Sequence, residues 1–340
     1  MNWWQPEIFE KKQKFLEKRA LIMRLLRSFF DDQKFIEVET PALQICPVME
    51  AHIHAFKTEL LNIDRSVSQA MYLHTSPEFD MKKLLTAGME QIYQICHVYR
   101  NAEGSKLHSP EFTLLEWYRA EADYQTLMDD CVDMFRYVAK GIGIELYTHG
   151  EKACNPFDEW QRLSVVQAFE TLAGIQLGNH LEDRDSFAQA AQDIGVRIVD
   201  ADMWDDIFHA VMAEKIEPNL GQGVPTILFD YPISMAALSR KKPDDPRFAE
   251  RFELYICGIE LANAFSELAD ANEQRKRYKD EMALKKKLYR EVYPSDEEFF
   301  KALEHMPESA GIALGIDRLI MLATGAEDIQ DVLWSPVQRL

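Results

Sequence analysis

The residues that could do chemistry in this 340-residue chain sit in a few short stretches. The richest is QIYQICHVYRNAEGSKLHSPEFTLLEWYRA, in which two alternating apolar runs flank a polar loop. Arg100 closes the first run and Phe112 opens the second. If the second is a strand, Phe112, Leu114, Glu116 and Tyr118 share one face, because side chains alternate with a period of two. A flat aromatic, a carboxylate and a phenol make poor core and a good ligand site. The ring suits stacking on a purine, and Glu116 with Tyr118 suits an ammonium group. Taken alone, the stretch also fits a sheet face half-exposed to water.

The second stretch, RFELYICGIELANAF, reads as a hairpin turning near Cys257 and Gly258. Glu253 and Glu260 then lie opposite or diagonal on neighbouring strands and repel unless a cation sits between them. Nucleotide-bound Mg2+ meets that need, since it takes a few carboxylates and completes its shell with water and phosphate oxygens. Solvated acids on an exposed edge hairpin are the alternative. Asn263 and Glu267 continue the same run. In TSPEFDMKKLL, Ser76 and Pro77 begin a helix with Glu78 in its first turn, which an ordinary cap also explains. In GIALGIDRLIMLATG, Gly311, Ala313 and Gly315 form the bare edge of a strand. Arg318, at the junction with the next helix, can reach an anion lying over the glycines. Two arginines for phosphates, paired acids for magnesium, an aromatic for a base and spare acids for a cation describe one activity. It is the nucleotide-dependent activation of a positively charged small molecule. No GxxxxGK[ST] loop is present, and no GxGxxG follows a strand.

Composition narrows the class. The net charge of −19 argues against non-specific nucleic-acid binding, whose affinity comes from lysine and arginine. The basic clusters Arg240-Lys241-Lys242 and Lys285-Lys286-Lys287 read as solvated loop or helix faces. The five cysteines (Cys46, Cys96, Cys131, Cys154 and Cys257) are scattered without a CxxC pair, which argues against a disulfide framework and a zinc ribbon. Cys46 with His52 and His54 fits no standard metal spacing. At 47% hydrophobic and 28% charged residues the mixture is that of a soluble globular protein. No apolar run is long enough to span a bilayer. The acids in the first 20 residues speak against a signal peptide, so a cytoplasmic protein is expected.

These stretches need elements to position them. Periodicity predicts helices over 7–34, 78–87, 124–140, 164–173, 183–194, 203–216 and 267–290. Strands are expected in KFIEVETPAL, ending at Pro41, and over 71–74, 91–100 and 111–118. GVPTILFDYP, the hairpin and a final strand-then-helix at 308–325 complete the set. Hairpins interleaved with helices, without regular βαβ alternation, point to an α+β fold: an antiparallel β-sheet flanked by helices. A single domain over 1–340 is expected, with a helical insertion at about 160–220.

With the motifs in place, the chain resembles the catalytic domain of class II aminoacyl-tRNA synthetases, most closely lysyl-tRNA synthetase. FIEVETPAL is similar to motif 1 (about 19–43), VYRNAEGSKLHSPEFTLLEWY to motif 2 (about 91–119) and GIALGIDR to motif 3 (about 309–325). FELYICGIELANAFSEL and TSPEF resemble segments typical of the lysine enzymes. The resemblance implies that Arg100 and Arg318 are catalytic. Arg100 would contact the substrate carboxylate and the α-phosphate, Phe112 would stack on adenine, and His108 and Arg318 would reach the β- and γ-phosphates. Asn101, Ala102, Glu103, Ser109, Leu254 and Gly315 would line the ATP site, with Glu253 and Glu260 holding Mg2+. Ser76, Pro77, Glu78, Glu116, Tyr118, Glu260, Asn263, Glu267 and Ala313 would surround the amino acid. Of these, Glu116, Tyr118 and Glu267 would take its terminal ammonium.

Two departures sharpen the expectation. Lysyl-tRNA synthetases place an OB-fold anticodon-binding domain before motif 1, whereas here motif 1 begins at about residue 19. Together with the acidic balance, this makes stable tRNA binding unexpected. Chains of this truncated type resemble the elongation factor P–(R)-β-lysine ligases, which implies ATP and Mg2+ as cofactors, β-lysine as substrate and elongation factor P as protein acceptor. A homodimer and no membrane contact are implied as well. Activation of free α-lysine or charging of tRNA is the alternative, and a non-catalytic regulator has no need of the full ATP set. Second, the family has glutamate two places after the motif 2 arginine, where this chain has Ala102, so Glu103 would replace it by a local shift. Lysyl-tRNA synthetases also carry glycine at the position of Ala313. A methyl in a tight pocket changes discrimination by roughly 1–3 kcal/mol, here near the α- and β-carbons of the substrate.

Overall fold

The structure, a computed structural model, describes residues 3–337. Its main sheet has eight strands: β1 (Ile36–Glu37), β5 (Gln91–Tyr99), β6 (Glu111–Ala120), β9 (Gln161–Ser164), β10 (Thr226–Pro232), β11 (Phe248–Ile256), β12 (Ile259–Ser266) and β13 (Ser309–Gly315). Their spatial order is β1-β5-β6-β13-β12-β11-β10-β9. The central pairings are antiparallel, and only the outermost, β1 with β5 and β9 with β10, are parallel. The hairpin β2 (Leu43–Gln44), β3 (Lys57–Leu61) and β4 (Val67–Leu73) forms a second sheet, and β7 (Tyr147–His149) with β8 (Lys152–Cys154) a small third one.

Helices cover both faces because the strands are apolar on one side and mixed on the other. α1 (Pro6–Asp32), α3 (Tyr124–Ile142), α9 (Ile316–Thr324) and α10 (Ile329–Val332) cover the side reached by Leu115 and Trp117, forming the largest core cluster. Proline at the first turn starts α1, and its buried stripe runs Leu16, Ile22, Leu26, Phe29 and Phe30. α2 (Glu78–Thr86), α7 (Ala271–Tyr289) and α8 (Glu297–Leu303) build a second cluster around Phe79, Tyr118, Tyr278 and Phe299. α4 (Val165–Ala168), α5 (Arg184–Asp193) and α6 (Trp204–Val211) form a third around Phe169, Phe187 and Phe208, seated on Leu228 and Tyr255 of the sheet.

The α+β architecture agrees with the sequence reading, and the differences have local causes. The strand expected in KFIEVETPAL shrinks to two residues: the Val38 amide still donates to the Tyr93 carbonyl, but the Thr40 amide turns to the Gln94 side chain at 3.1 Å instead of a strand partner. The helices expected over 164–173 and 203–216 each begin as α and finish in a π turn, Phe169–Ala173 and Met212–Ile216. The helix expected from 267 starts at Ala271, because the Asp270 carboxylate caps the amides of Asn272 and Glu273. Glu267 therefore belongs to the end of the β12 path and bridges to Ser239. The exposed hairpin β3–β4 extends beyond the 71–74 run that alternation picks out.

A buried ionic knot ties the three motif segments together. Arg19 of α1 pairs with Asp317 at the start of α9 and donates to Thr113 Oγ1 of β6 at 2.7 Å. Asp317 in turn accepts from the Thr113 amide at 2.7 Å. Asp317 is thus spent on structure, whereas its neighbour Arg318 faces the site.

Candidate active site

A cavity of about 490 Å3 opens on the sheet face that carries Phe112, Leu114, Glu116 and Tyr118, all four of which line it. Its floor comes from β6, β11, β12 and β13, and its walls from α2, α7, the loop before β3 and one end of α6.

One end is cationic. Arg100 follows β5 at the cavity, its guanidinium 5.2 Å above the Phe112 ring, and its Nε is buried with no hydrogen-bond partner. Ser109 Oγ is likewise buried and unpaired. Arg318 donates from Nη1 to the Glu260 carbonyl at 2.8 Å, while Nη2 meets His108 Nε2. Burial and the Arg318 charge lower the His108 pKa, so the imidazole stays neutral and Arg318 supplies the charge. Unsatisfied donors beside a fixed guanidinium call for an anion.

The hairpin forms the next stretch of floor. Glu253 pairs across with Asn263, and Glu260 with Tyr255, so the two acids are diagonal neighbours on one face. Glu253 accepts from Tyr231 and Tyr255 through Oε2, each at 2.6 Å, and from Arg251 through Oε1 at 2.6 Å. A carboxylate has about four lone-pair sites, so one remains. Burial and the nearby Glu253 push the Glu260 carboxyl up, with Arg318 nitrogen 3.7 Å away as partial compensation. This donor set fits a magnesium ion that brings most of its own ligands, although Glu253 offers it less than two free oxygens would.

The opposite end is anionic. Ser76 Oγ and Tyr118 OH donate to Glu116 at 2.5 and 2.9 Å. Burial, helped by Glu78, pushes Glu116 up to about 7. Lys82 is fully buried, its Nζ 2.5 Å from both Glu78 Oε1 and Glu267 Oε2. Glu267 Oε1 is buried and accepts nothing. Burial pushes Glu267 up, while Lys82 pulls it down. An acidic pocket with an unsatisfied oxygen at its base is built for a cation.

Most of the residues expected from the sequence meet here. Ser76, Glu78, Arg100, Glu103, His108, Ser109, Phe112, Glu116, Tyr118, Glu253, Glu260, Asn263, Ala313, Gly315 and Arg318 all line the cavity. Glu267 is not among the lining residues: its side chain is fully buried behind Gly311, where a Cβ would come 2.5 Å from Glu267 Oε1. Other expectations need correction. Leu254 alternates with Glu253, so its side chain lies in the core beneath the sheet. Pro77 is the N-cap of α2, outside the lining. Asn101 and Ala102 are exposed at the loop, with Asn101 Oδ1 accepting from the Ala102 amide. Ala102 has φ of +61°, and this left-handed turn brings Glu103 to the cavity wall.

The bare edge of β13 also differs from expectation. A Cβ on Gly311 would lie 2.2 Å from Tyr118 Cε1, so the protein's own ring covers this glycine. Gly315, by contrast, has only Arg318 and Leu261 atoms at 3.9 Å. The basic clusters are solvated only in part: Lys286 and Lys287 are exposed, as expected, but other members are paired or buried. Arg240, Lys241 and Lys242 pair with Glu250, Glu273 and Asp230. Lys285 is fully buried and donates to the carbonyls of Ala51 and Ile53. Lys82, Arg251 and Glu50 were missed from the sequence. Only Lys82 carried a signal, a Glu78–Lys82 i,i+4 spacing that normally marks an exposed helix pair.

The family model for class II tRNA synthetases of the D, K and N type matches residues 7–339. The chain is 39% identical over 340 residues to an elongation factor P–(R)-β-lysine ligase of Vibrio atlanticus, covering 99% of this chain and 98% of that one. Against the Vibrio cholerae protein of the same name the identity is 40%, with 95% of each chain covered. The Haemophilus ducreyi one is 36% identical, with 99% and 97% covered. The chain belongs to the class II tRNA synthetase family, among the elongation factor P–(R)-β-lysine ligases. Class II synthetases use ATP, which suits an arginine with an unpaired buried Nε beside an aromatic ring. Among the described residues no helix is long and apolar enough to cross a membrane.

Proposed function

We propose that the chain activates (R)-β-lysine with ATP and transfers it to a lysine side chain of elongation factor P. The observation that supports this reading is one cavity with Arg100 and Arg318 at one end, which would bind the anion, and Glu116 and Tyr118 at the other, which would take the ammonium with the buried Glu267 behind them. An amino acid with a distant ammonium spans the two ends, its carboxylate beside the nucleotide.

In the first step a substrate carboxylate oxygen attacks the α-phosphorus in line, and pyrophosphate leaves with the electron pair of the broken P–O bond. Arg100 neutralises the charge that gathers on the α-phosphate, and Arg318 with His108 holds the leaving phosphates. Phe112 stacks on adenine and Glu103 faces its amine. Glu253 and Glu260 would hold magnesium, which supplies further neutralisation of the phosphates. In the second step the neutral amine of the acceptor lysine attacks the acyl carbonyl of the adenylate. An amide forms, the C–O bond to AMP breaks, and the ammonium proton passes to solvent or to the departing phosphate. No side-chain nucleophile is needed. The described residues would act as one catalytic domain, in the cytoplasm where its acceptor works.

A homodimer joined at the motif 1 side fits the exposed Ile36, Leu43 and Ile45 and the exposed Leu60, Leu61, Ile63 and Val67 of the neighbouring hairpin. A monomeric mass by sedimentation at micromolar concentration would count against it. The activity is tested by pyrophosphate exchange with lysine isomers and by transfer of labelled β-lysine to purified elongation factor P or to lysine tRNA. Exchange with (R)-β-lysine and label on the factor are expected, and no label on the factor overturns the reading.

A further inference from the structure

(R)-β-lysine carries two ammonium groups, one at the end of its chain and one on the β-carbon, close to the carboxylate. The pocket around Glu116 and Glu267 accounts for the first. On the proposed reading of the substrate, the second must lie near Arg100 and needs its own carboxylate.

The acids of the cavity are mostly committed. Glu78 pairs with Lys82, and Glu116, assigned above to the terminal ammonium, also accepts from Ser76 and Tyr118. Glu253 takes three donors, and Glu260 leans on Arg318. Glu281 accepts the Ala51 amide at 2.8 Å. Asp205 has His52 and Asp206 as its charged neighbours. Glu50 is different. It lines the cavity, half-buried, and makes no hydrogen bond among the described residues. Its charged neighbours are Arg100, Arg251, Glu78 and Glu281. It therefore sits where the carboxylate end of a substrate meets the amino-acid pocket.

Its backbone is held for the task. Gln274 of α7 donates to Met49 Sδ, and Lys285 of the same helix donates to the carbonyls of Ala51 and Ile53 at 2.9 and 2.7 Å. The residues on both sides of Glu50 are thus fastened to α7 while its side chain stays free. Burial raises its pKa, against the pull of Arg100 and Arg251, and Glu78 and Glu281 add to the rise.

We infer that Glu50 is a specificity-determining residue that takes the β-ammonium group of the substrate. The test compares Glu50→Gln with the unmodified enzyme in ATP–pyrophosphate exchange, using (R)-β-lysine as substrate and 6-aminohexanoate, which lacks the β-amine, as competitive inhibitor. Loss of one charge-assisted hydrogen bond is expected to raise the KM for (R)-β-lysine about 10- to 100-fold. The Ki of 6-aminohexanoate and the KM for ATP should stay within about 2-fold, because neither contact is altered. Equal losses for both amino acids, or an unchanged KM for (R)-β-lysine, would overturn the inference. Failure of the unmodified enzyme to exchange with (R)-β-lysine would instead overturn the substrate reading on which it rests.

Discussion

Gly311 offers the sharpest test of how the ammonium pocket is built. In Gly311→Ala the new methyl would lie 2.2 and 2.5 Å from two Tyr118 ring carbons and 2.5 Å from Glu267 Oε1, far inside contact distance. Gly311 and Tyr118 are direct register partners on β13 and β6, so the backbones cannot part without breaking the sheet. The ring must move instead, and it is buried with its hydroxyl bound to Glu116. Overpacking of this kind costs about 1–3 kcal/mol. With an unfolding entropy of about 2.1 cal/mol/K per residue, that lowers the Tm of a 340-residue chain by about 1.5–4 °C. Loss of the Tyr118–Glu116 bond, worth about 1 kcal/mol, should raise the KM for β-lysine about 5-fold and leave that for ATP unchanged. Gly315→Ala is the control: its methyl meets nothing closer than 3.9 Å, so Tm should hold while any loss falls on ATP. Thermal denaturation with pyrophosphate-exchange kinetics reads all four numbers. If Gly311→Ala keeps its Tm within about 1 °C and its KM for β-lysine within about 2-fold, the ring does not cover this glycine and the account of the pocket fails.

Other consequences follow from the same site. Glu116 is held near 7, above the ordinary 4.5, so the native state holds the extra proton between those values and the empty enzyme loses stability as pH rises through them. Binding an ammonium needs the ionised form, so the KM for β-lysine should fall from pH 6 to 8, and both slopes should flatten in Glu116→Gln. Lys82→Met leaves Glu78 and Glu267 facing each other without their cation, an expected loss of about 3 kcal/mol at pH 8. Denaturant titrations should find a smaller loss at pH 6, where Glu267 takes up a proton, and an equal loss at both would argue against a charge effect. Ala313 faces Glu116 and Asn263 across its two strand pairings. Ala313→Gly should shift the α- to β-lysine preference in adenylation by about 10-fold toward α-lysine, and an unchanged ratio would refute a role for this methyl.

Local pattern alone was enough for much of the site. Period-two alternation put Phe112, Leu114, Glu116 and Tyr118 on one face, and the turn at Cys257-Gly258 made Glu253 and Glu260 neighbours. Both hold in the structure, because strand parity is a property of the backbone and needs no tertiary information. The motif order also sufficed to suggest the family and the α+β fold. What alternation could not tell is what fills the space above a face. Gly311 looked like room for a ligand and is room for Tyr118, since only the packed sheet brings that ring across.

Charge shows the same division more strongly. Lys285 reads as a surface lysine in a basic run, and Lys82, in an i,i+4 pair with Glu78, carries no sign of burial, yet both are fully buried. Their partners, Glu267 and the Ala51 and Ile53 carbonyls, lie more than 180 residues away along the chain. Glu50 stands in a loop with no periodicity at all, and its place beside Arg100 exists only after α7 has pinned that loop. Sequence by itself determined which faces the strands present and which motifs the chain carries. Tertiary structure alone decided which of the charges are spent on one another and which are left for a substrate, because burial and long-range pairing set that balance and neither is written in local spacing.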